Sequence, residues 1–281
     1  MAPTLRDTSV REIEHWLDEL RDGEGASLRT SVLTHTAWVP SEWERAAERV
    51  LAGMGARVPS RTILLHPDPD AGEDRIDAEL ALECFPGPGH SVCAEFVRIW
   101  LRGATAKVPA SVVVPLQIAD LPAFLRWRGR PRFGSGVLDQ LMGVSDRLIV
   151  DSAEWGERLR PAYRRLAESF DRVVVSDLAW SRTLGHRAGL AELWPGIRRA
   201  RALEVRGPRA DAVLLHAWLR SRLKTAIRLH HTDARTLSTV AVDGQAVRVP
   251  PRLMRSASDQ LSDQLEVYTR DRVYEAAARA V

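Results

Sequence analysis

The sequence predicts an α/β protein: a mixed, largely parallel sheet with crossover helices in a large N-terminal domain (1–196), followed by a smaller α+β C-terminal domain (197–281). Three observations lead there. Apolar runs without alternation, SVVVPL (111–116), RLIVDS (147–152) and RVVVSDL (172–178), read as strands covered on both faces. Helical periodicity fills the intervals between them, and strand, helix, strand at this spacing argues for parallel strands joined by crossovers. The phrase WPG at 194–196, with the basic IRRAR after it, reads as a linker.

From the start of the chain, Ser9 and Glu12 have capping-box spacing, and Val10, Ile13, Leu17 and Leu20 share one helical face that Gly23 stops. A helix over about 10–22 is expected. Ser41 and Glu44 repeat the box, with Trp43, Ala46, Ala47, Val50, Leu51 and Met54 at helical intervals. Between these helices, Leu28 to Val39 reads as a strand. RTILL, then IDAELALECF and SVCAEFVRIWL around Pro86, Gly87, Pro88 and Gly89, predict a strand and a hairpin. In the C-terminal part, ALEVRG and AIRLHH read as strands flanking a helix opened by Pro208. STVAVDGQAVRV predicts a hairpin turning at Asp243 and Gly244, and helix follows to the end.

With 281 residues, 45% of them hydrophobic, the chain can bury a sizeable core. No apolar run is long enough to span a membrane, and the N-terminus lacks the pattern of a secretory signal, so a cytoplasmic protein is expected. Cys84 and Cys93 have no CxxC spacing and read as ordinary core or strand thiols. The formal charge is only +3, and nearly all the positive charge is arginine, Lys107 and Lys224 being the two lysines. Arg126, Arg128, Arg130 and Arg132 form a cluster that an anionic partner could use, although solvated surface arginines are the plainer reading.

The usual signatures of chemistry are missing. There is no Walker loop, no GxGxxG after a strand, no HExxH, no GxSxG and no metal-spaced His/Cys set, so neither a cofactor nor a metal is implied. FGSG (133–136) reads as a helix start, and His230 and His231, adjacent on a strand, point to opposite faces. Ligands in parallel sheets bind at the carboxyl ends of strands. Asp120, Asp151, Ser152, Ser176 and Asp177 stand at those ends. Helix capping accounts for Ser152 and Asp177, whose oxygens can take the orphan amides of a first turn. Nine tryptophans, several beside arginine, supply the residue types that anchor protein interfaces.

The ordered phrases PSRTILL (59–65), CAEFVRIWLRG (93–103), VVVPLQIADLPAFLRWRG (112–129), DRLIVDSAEW (146–155), SDLAWSR (176–182) and LSDQLEVYTRDRVYEAA (261–277) resemble the OpcA family. The resemblance implies a non-catalytic partner of glucose-6-phosphate dehydrogenase that promotes its assembly or raises its activity, and so supports NADPH supply in the oxidative pentose phosphate pathway. The positions matching its phrases are Pro115, Asp120, Leu121, Pro122, Trp127, Asp151, Ser152, Asp177, Leu178, Trp180 and Arg182. Of these, Asp120, Pro122, Trp127, Asp151, Ser152, Asp177, Trp180 and Arg182 are the expected partner-binding or motif residues. Arg126 stands where the family often has another aromatic, and TLGHR (183–187) replaces a phrase containing proline and tryptophan.

Two other readings compete with this one. One is a small-molecule enzyme using Asp120, Asp151 and Asp177 as acid and base. The other is a nucleic-acid-binding protein using the cluster at 126–132, with Trp127 stacking on bases. Within DLAWSR, helical geometry separates Trp180 from Arg182 by about 200°. Trp180 is expected to pack inward while Arg182 faces a cleft or partner and contributes little to stability.

Overall fold

The computed structural model describes residues 3–23, 31–51, 57–87, 90–250 and 256–281. The chain forms two compact units, Met1–Ile149 with Leu261–Tyr268, and Val150–Gln260 with Thr269–Val281. The phrase at 194–196 lies inside the second.

In the first unit the elements are β1 (Thr4–Leu5), α1 (Val10–Gly23), β2 (Thr34–Trp38), α2 (Glu44–Leu51), β3 (Arg61–Asp68), β4 (Arg75–Gly87), β5 (His90–Arg102), α3 (Pro109–Leu116), β6 (Ala123–Trp127), α4 (Gly136–Gly143) and β7 (Arg147–Val150). The strands of this unit run in the order β1-β4-β5-β3-β2-β6-β7. β2 is parallel to β3 and β6, β3 to β5, and β6 to β7, while β4 pairs antiparallel with β1 and β5. The sheet is therefore mixed and largely parallel, as expected. Ile63, Leu65, Val97, Ile99, Leu101, Leu125 and Leu148 are fully buried, as side chains of covered strands must be.

The capping box at Ser9 forms, with the Ser9 amide donating to Glu12 Oε2 at 2.9 Å and the Glu12 amide to Ser9 Oγ at 3.3 Å. The second box does not. Ser41–Trp43 is a 3-10 turn preceded by Pro40 without a side-chain cap, and the α-helix starts only at Glu44. Residues 28–30, Met54, Pro88 and Gly89 lie outside the described residues.

The run at 111–116 is helix, not strand. Pro109 opens α3 at its first turn, where a missing N–H costs nothing, and Val112, Val113 and Leu116 are buried while Val114 is 48% exposed. That is a helical face, which five apolar residues in a row, Val112 to Leu116, conceal. The strand of this region is β6, AFLRW, buried throughout its length. It escapes a reading by composition because Arg126, 2% exposed, and Trp127, 4% exposed, belong to a stretch that looks like polar surface. The expected arginine cluster is thereby divided: Arg126 and Arg128 are buried, Arg130 and Arg132 exposed. Trp127 stacks on Trp38 at 5.2 Å, and the Arg128 guanidinium lies 5.1 Å from the Trp43 ring. Gly129, at φ +73°, follows because a Cβ there would stand 2.8 Å from the Trp43 indole nitrogen.

Cys84 and Cys93 are not separate thiols. They face each other across the β4–β5 hairpin with Cα atoms 4.0 Å apart and form a disulfide. Directly paired hairpin positions bring two Cβ atoms within bonding reach, which spacing alone left open.

The second unit contains α5 (Leu159–Ala167), β8 (Val174–Asp177), α6 (Leu178–Arg182), α7 (Leu184–Glu192), β9 (Ala202–Gly207), α8 (Arg209–Leu223), β10 (Arg228–Asp233), β11 (Thr239–Val242), β12 (Gln245–Ala246) and α10 (Arg272–Arg279), while α9 (Ala257–Leu265) has residues in both units. β9 and β10 are parallel and joined by α8, and β11 adds antiparallel in the order β10-β9-β11-β12. Leu190, Leu203, Val205, Leu215, Leu219 and Val240 form its core. The Asp243–Gly244 turn has positive φ at both residues, 48° and 81°, the conformation of a two-residue hairpin turn.

Candidate functional site

The motif residues fall into two groups. In the first unit, Asp120 is exposed at φ +63° in the turn after α3, Pro122 is half-buried, and Trp127 is buried in its stack. The other five motif residues, Asp151, Ser152, Asp177, Trp180 and Arg182, belong to the second unit, and all but Trp180 take part in one polar network.

Asp151 follows β7 and its Oδ1 accepts the Ala153 amide at 3.1 Å, capping a 3-10 turn over Ser152–Trp155. Arg182 ends α6. Its Nη1 and Nη2 donate to the two oxygens of Asp151, each at 2.8 Å, while Nε and Nη2 donate to the two oxygens of Asp211, each at 2.9 Å. One guanidinium therefore holds two carboxylates in bidentate geometry, the arrangement its planar fork favours. Asp211, in the first turn of α8, is fully buried and was not singled out by sequence. Its only signal was an acid in the first turn of a helix, which is what ordinary dipole complementarity also produces.

Asp177 lies beside this pair. Its Oδ1 accepts the Ser152 and Ala179 amides at 3.0 and 2.9 Å, and the Tyr163 hydroxyl stands 3.1 Å from its Oδ2 and 2.6 Å from Ser152 Oγ. Asp177 caps α6, as expected. Ser152 does not cap: Asp151 takes that position, and the Ser152 hydroxyl turns inward to Tyr163. Three carboxylates around one arginine leave an excess of negative charge. Burial, and then the neighbouring Asp151, raise the Asp177 carboxyl above its ordinary value. Burial pushes Asp211 up to about 6 despite the opposing pull of Arg182. Arg182 is held well above its usual value because the two carboxylates outweigh the cost of its own burial.

Trp180, 4% exposed, packs inward as expected. Its indole nitrogen donates to Asp271 Oδ2 at 2.7 Å, and Asp271 Oδ1 accepts the Tyr274 amide, capping α10. The Arg187 guanidinium stacks 3.5 Å above the Trp180 ring, and burial lowers Arg187 to about 10. Arg182 keeps 19% of its side chain exposed, toward a cleft of about 960 Å³ that Asp151, Ser181, His186 and Arg235 also line. The clamp on buried Asp211 and partly buried Asp151 argues against the expectation that Arg182 matters little to stability. Chemically the network is a set of committed acceptors: the described hydrogen bonds occupy Asp151, Asp177 and Asp211. Among the described residues, no group of three His, Cys, Asp or Glu side chains could hold a metal ion.

Comparison with known proteins bears on this arrangement. Residues 53–168 match the family model described as the glucose-6-phosphate dehydrogenase subunit N-terminal domain. This segment, 116 of the 281 residues, is what the chain shares with that family model. A protein of Nostoc punctiforme provisionally named OxPP cycle protein OpcA is 28% identical over 190 residues, covering 63% of this chain and 40% of the relative. A Synechocystis protein of the same provisional name is 26% identical over 186 residues, covering 61% of this chain and 38% of the relative. The chain thus matches about two fifths of the length of these OpcA relatives.

Proposed function

We propose that this chain is a non-catalytic accessory protein that binds glucose-6-phosphate dehydrogenase and promotes its assembly or activation, supporting NADPH production through the oxidative pentose phosphate pathway in the cytoplasm. The observation that carries this reading is the match of residues 53–168 to a domain described as part of that dehydrogenase's subunit. The names of the two relatives point the same way. Among the described residues, no helix is long and apolar enough to cross a membrane.

The site favours binding over acid and base chemistry. Asp151 and Asp177 are engaged by Arg182, backbone amides and Tyr163, which is the environment of structural carboxylates. The buried stack of Trp127 on Trp38 likewise disfavours base stacking on nucleic acid. Of the motif side chains, Asp120, Pro122 and the outer edges of Asp151 and Arg182 retain surface to offer a partner. Activation then works by preferential binding to the dehydrogenase's active conformation or assembly. A tenfold preference corresponds to about 1.4 kcal/mol.

The test is co-purification with the dehydrogenase of the same organism, and dehydrogenase activity at increasing amounts of this protein. A complex with raised activity, or a shift toward the active oligomer, is expected. Absence of both sinks the reading.

A further inference from the structure

The second unit has another cavity, separate from the Arg182 network, of about 400 Å³. Its charged rim comes from distant parts of the sequence: Arg158 and Arg160 at the start of α5, Arg209 and Arg220 at the two ends of α8. Leu159, Val213, Ala217 and Leu229 supply apolar lining. Four arginines and one acidic side chain, Glu157, line the cavity, so positive charge is in excess there. Neither Arg158, Arg160 nor Arg209 forms an ion pair among the described residues, and Arg220 is tied only to the Ala280 carbonyl oxygen, at 2.6 Å. The first turn of α5 contributes no acid.

Converging like charges repel unless an anion joins them. Guanidiniums match the oxygens of phosphate in bidentate fashion, and an apolar lining suits the carbon skeleton of a small molecule. We propose that this cavity binds a small phosphate-bearing metabolite, the arginines holding the phosphate and the lining of Leu159, Val213 and Leu229 packing on its organic part. A concave site of this size fits a sugar phosphate or a nucleoside monophosphate better than a flat macromolecular surface. This goes beyond the accessory role and does not depend on it, because binding is read without the dehydrogenase.

The full chain is titrated calorimetrically, and in thermal melts, with ribose 5-phosphate, adenosine 5′-monophosphate and inorganic phosphate, against sodium chloride at matched ionic strength. At least one of the organic phosphates should bind below about millimolar concentration and raise the melting temperature. Arg158→Gln with Arg209→Gln should weaken that binding tenfold or more, which is about 1.4 kcal/mol. The exposed positions of both side chains should leave the unliganded melting temperature unchanged. Arg130→Gln with Arg132→Gln, exposed arginines of the first unit, serve as the control and should have no effect. The proposal fails if no organic phosphate binds more tightly than chloride accounts for, if the Arg158 and Arg209 variant binds as the parent does, or if the control weakens binding equally. Retention on DNA or RNA that the same two substitutions abolish, with no metabolite bound, would overturn it in favour of a nucleic-acid surface.

Discussion

Arg182 and Asp211 meet in two parallel hydrogen bonds of 2.9 Å, and the same guanidinium grips Asp151 from its other side. The end of α6, the 3-10 turn that Asp151 caps and the start of α8 are thereby tied to one planar group. Removing it leaves two carboxylates facing each other with Asp211 fully buried. Arg182→Ala should therefore cost about 3–5 kcal/mol, as loss of one partner of a buried pair does. Urea denaturation checks this. Adding Asp211→Asn should recover part of the loss, since it deletes one of the abandoned charges, with a coupling of about 0.5–3 kcal/mol. Strictly additive losses would mean that the two residues do not act as a pair.

Trp180 should behave as a structural residue. Its ring lies between Arg187 and Tyr274, and its nitrogen reaches the cap of α10. Trp180→Ala should lower stability by about 3–5 kcal/mol, the cost of truncating a buried aromatic. Trp180→Phe keeps an aromatic ring but loses the bond to Asp271 and the pyrrole part of the indole, so its loss should be smaller, about 1–3 kcal/mol. Chemical denaturation of both variants separates packing from the hydrogen bond, and equal losses would contradict the packing assignment.

The carboxylate network should give stability an unusual pH dependence. Asp211 titrates at about 6 in the folded chain, against about 4 when unfolded. A raised carboxyl stabilises the fold most when protonated. Its contribution is fully present below about pH 4 and is lost as pH rises through 6. Between those limits it can change stability by at most about 1.4 kcal/mol per pH unit, with the raised carboxyl of Asp177 acting in the same direction. Asp211→Asn should remove this loss, so the variant's melting temperature should fall less than the parent's between pH 4.5 and 7. Parallel curves would dismiss the network as the source.

His35 predicts the opposite sign in the first unit. It is fully buried on β2, both ring nitrogens are without a hydrogen-bond partner among the described residues, and burial followed by the nearby Arg126 lowers it to about 3. A base depressed below its unfolded value of about 6.5 stabilises fully above that value and loses its contribution as pH falls toward 3. His35→Leu removes an unpaired polar group and should flatten the acid side of the stability profile. Melting temperatures between pH 6.5 and 4 would show it, and an unchanged acid slope would exclude His35.

Local chemistry was legible wherever neighbours in sequence decide the outcome. Ser9 with Glu12, Pro208 before α8, and Asp243 with Gly244 formed what their spacing predicted, because caps and tight turns are satisfied within four or five residues. The phrases at 146–155 and 176–182 pointed to residues that share a network, Asp151, Ser152, Asp177 and Arg182. The failures share a different cause. Whether 111–116 is helix or strand depends on which face its neighbours cover, and five apolar side chains in a row carry no period to tell. Arg126 looks like surface until β6 is placed between β2 and β7.

The sequence by itself determined an α/β chain, its first capping box and its hairpins, and the inward turn of Trp180. Only the tertiary structure decided that Cys84 meets Cys93, that Asp211 completes the Arg182 clamp, and that arginines from α5 and α8 surround one cavity. The physical reason is range. Backbone capping and helical phase act over a few residues, whereas burial, charge pairing and the shape of a cavity depend on groups tens of residues apart that share a location only after the chain has folded.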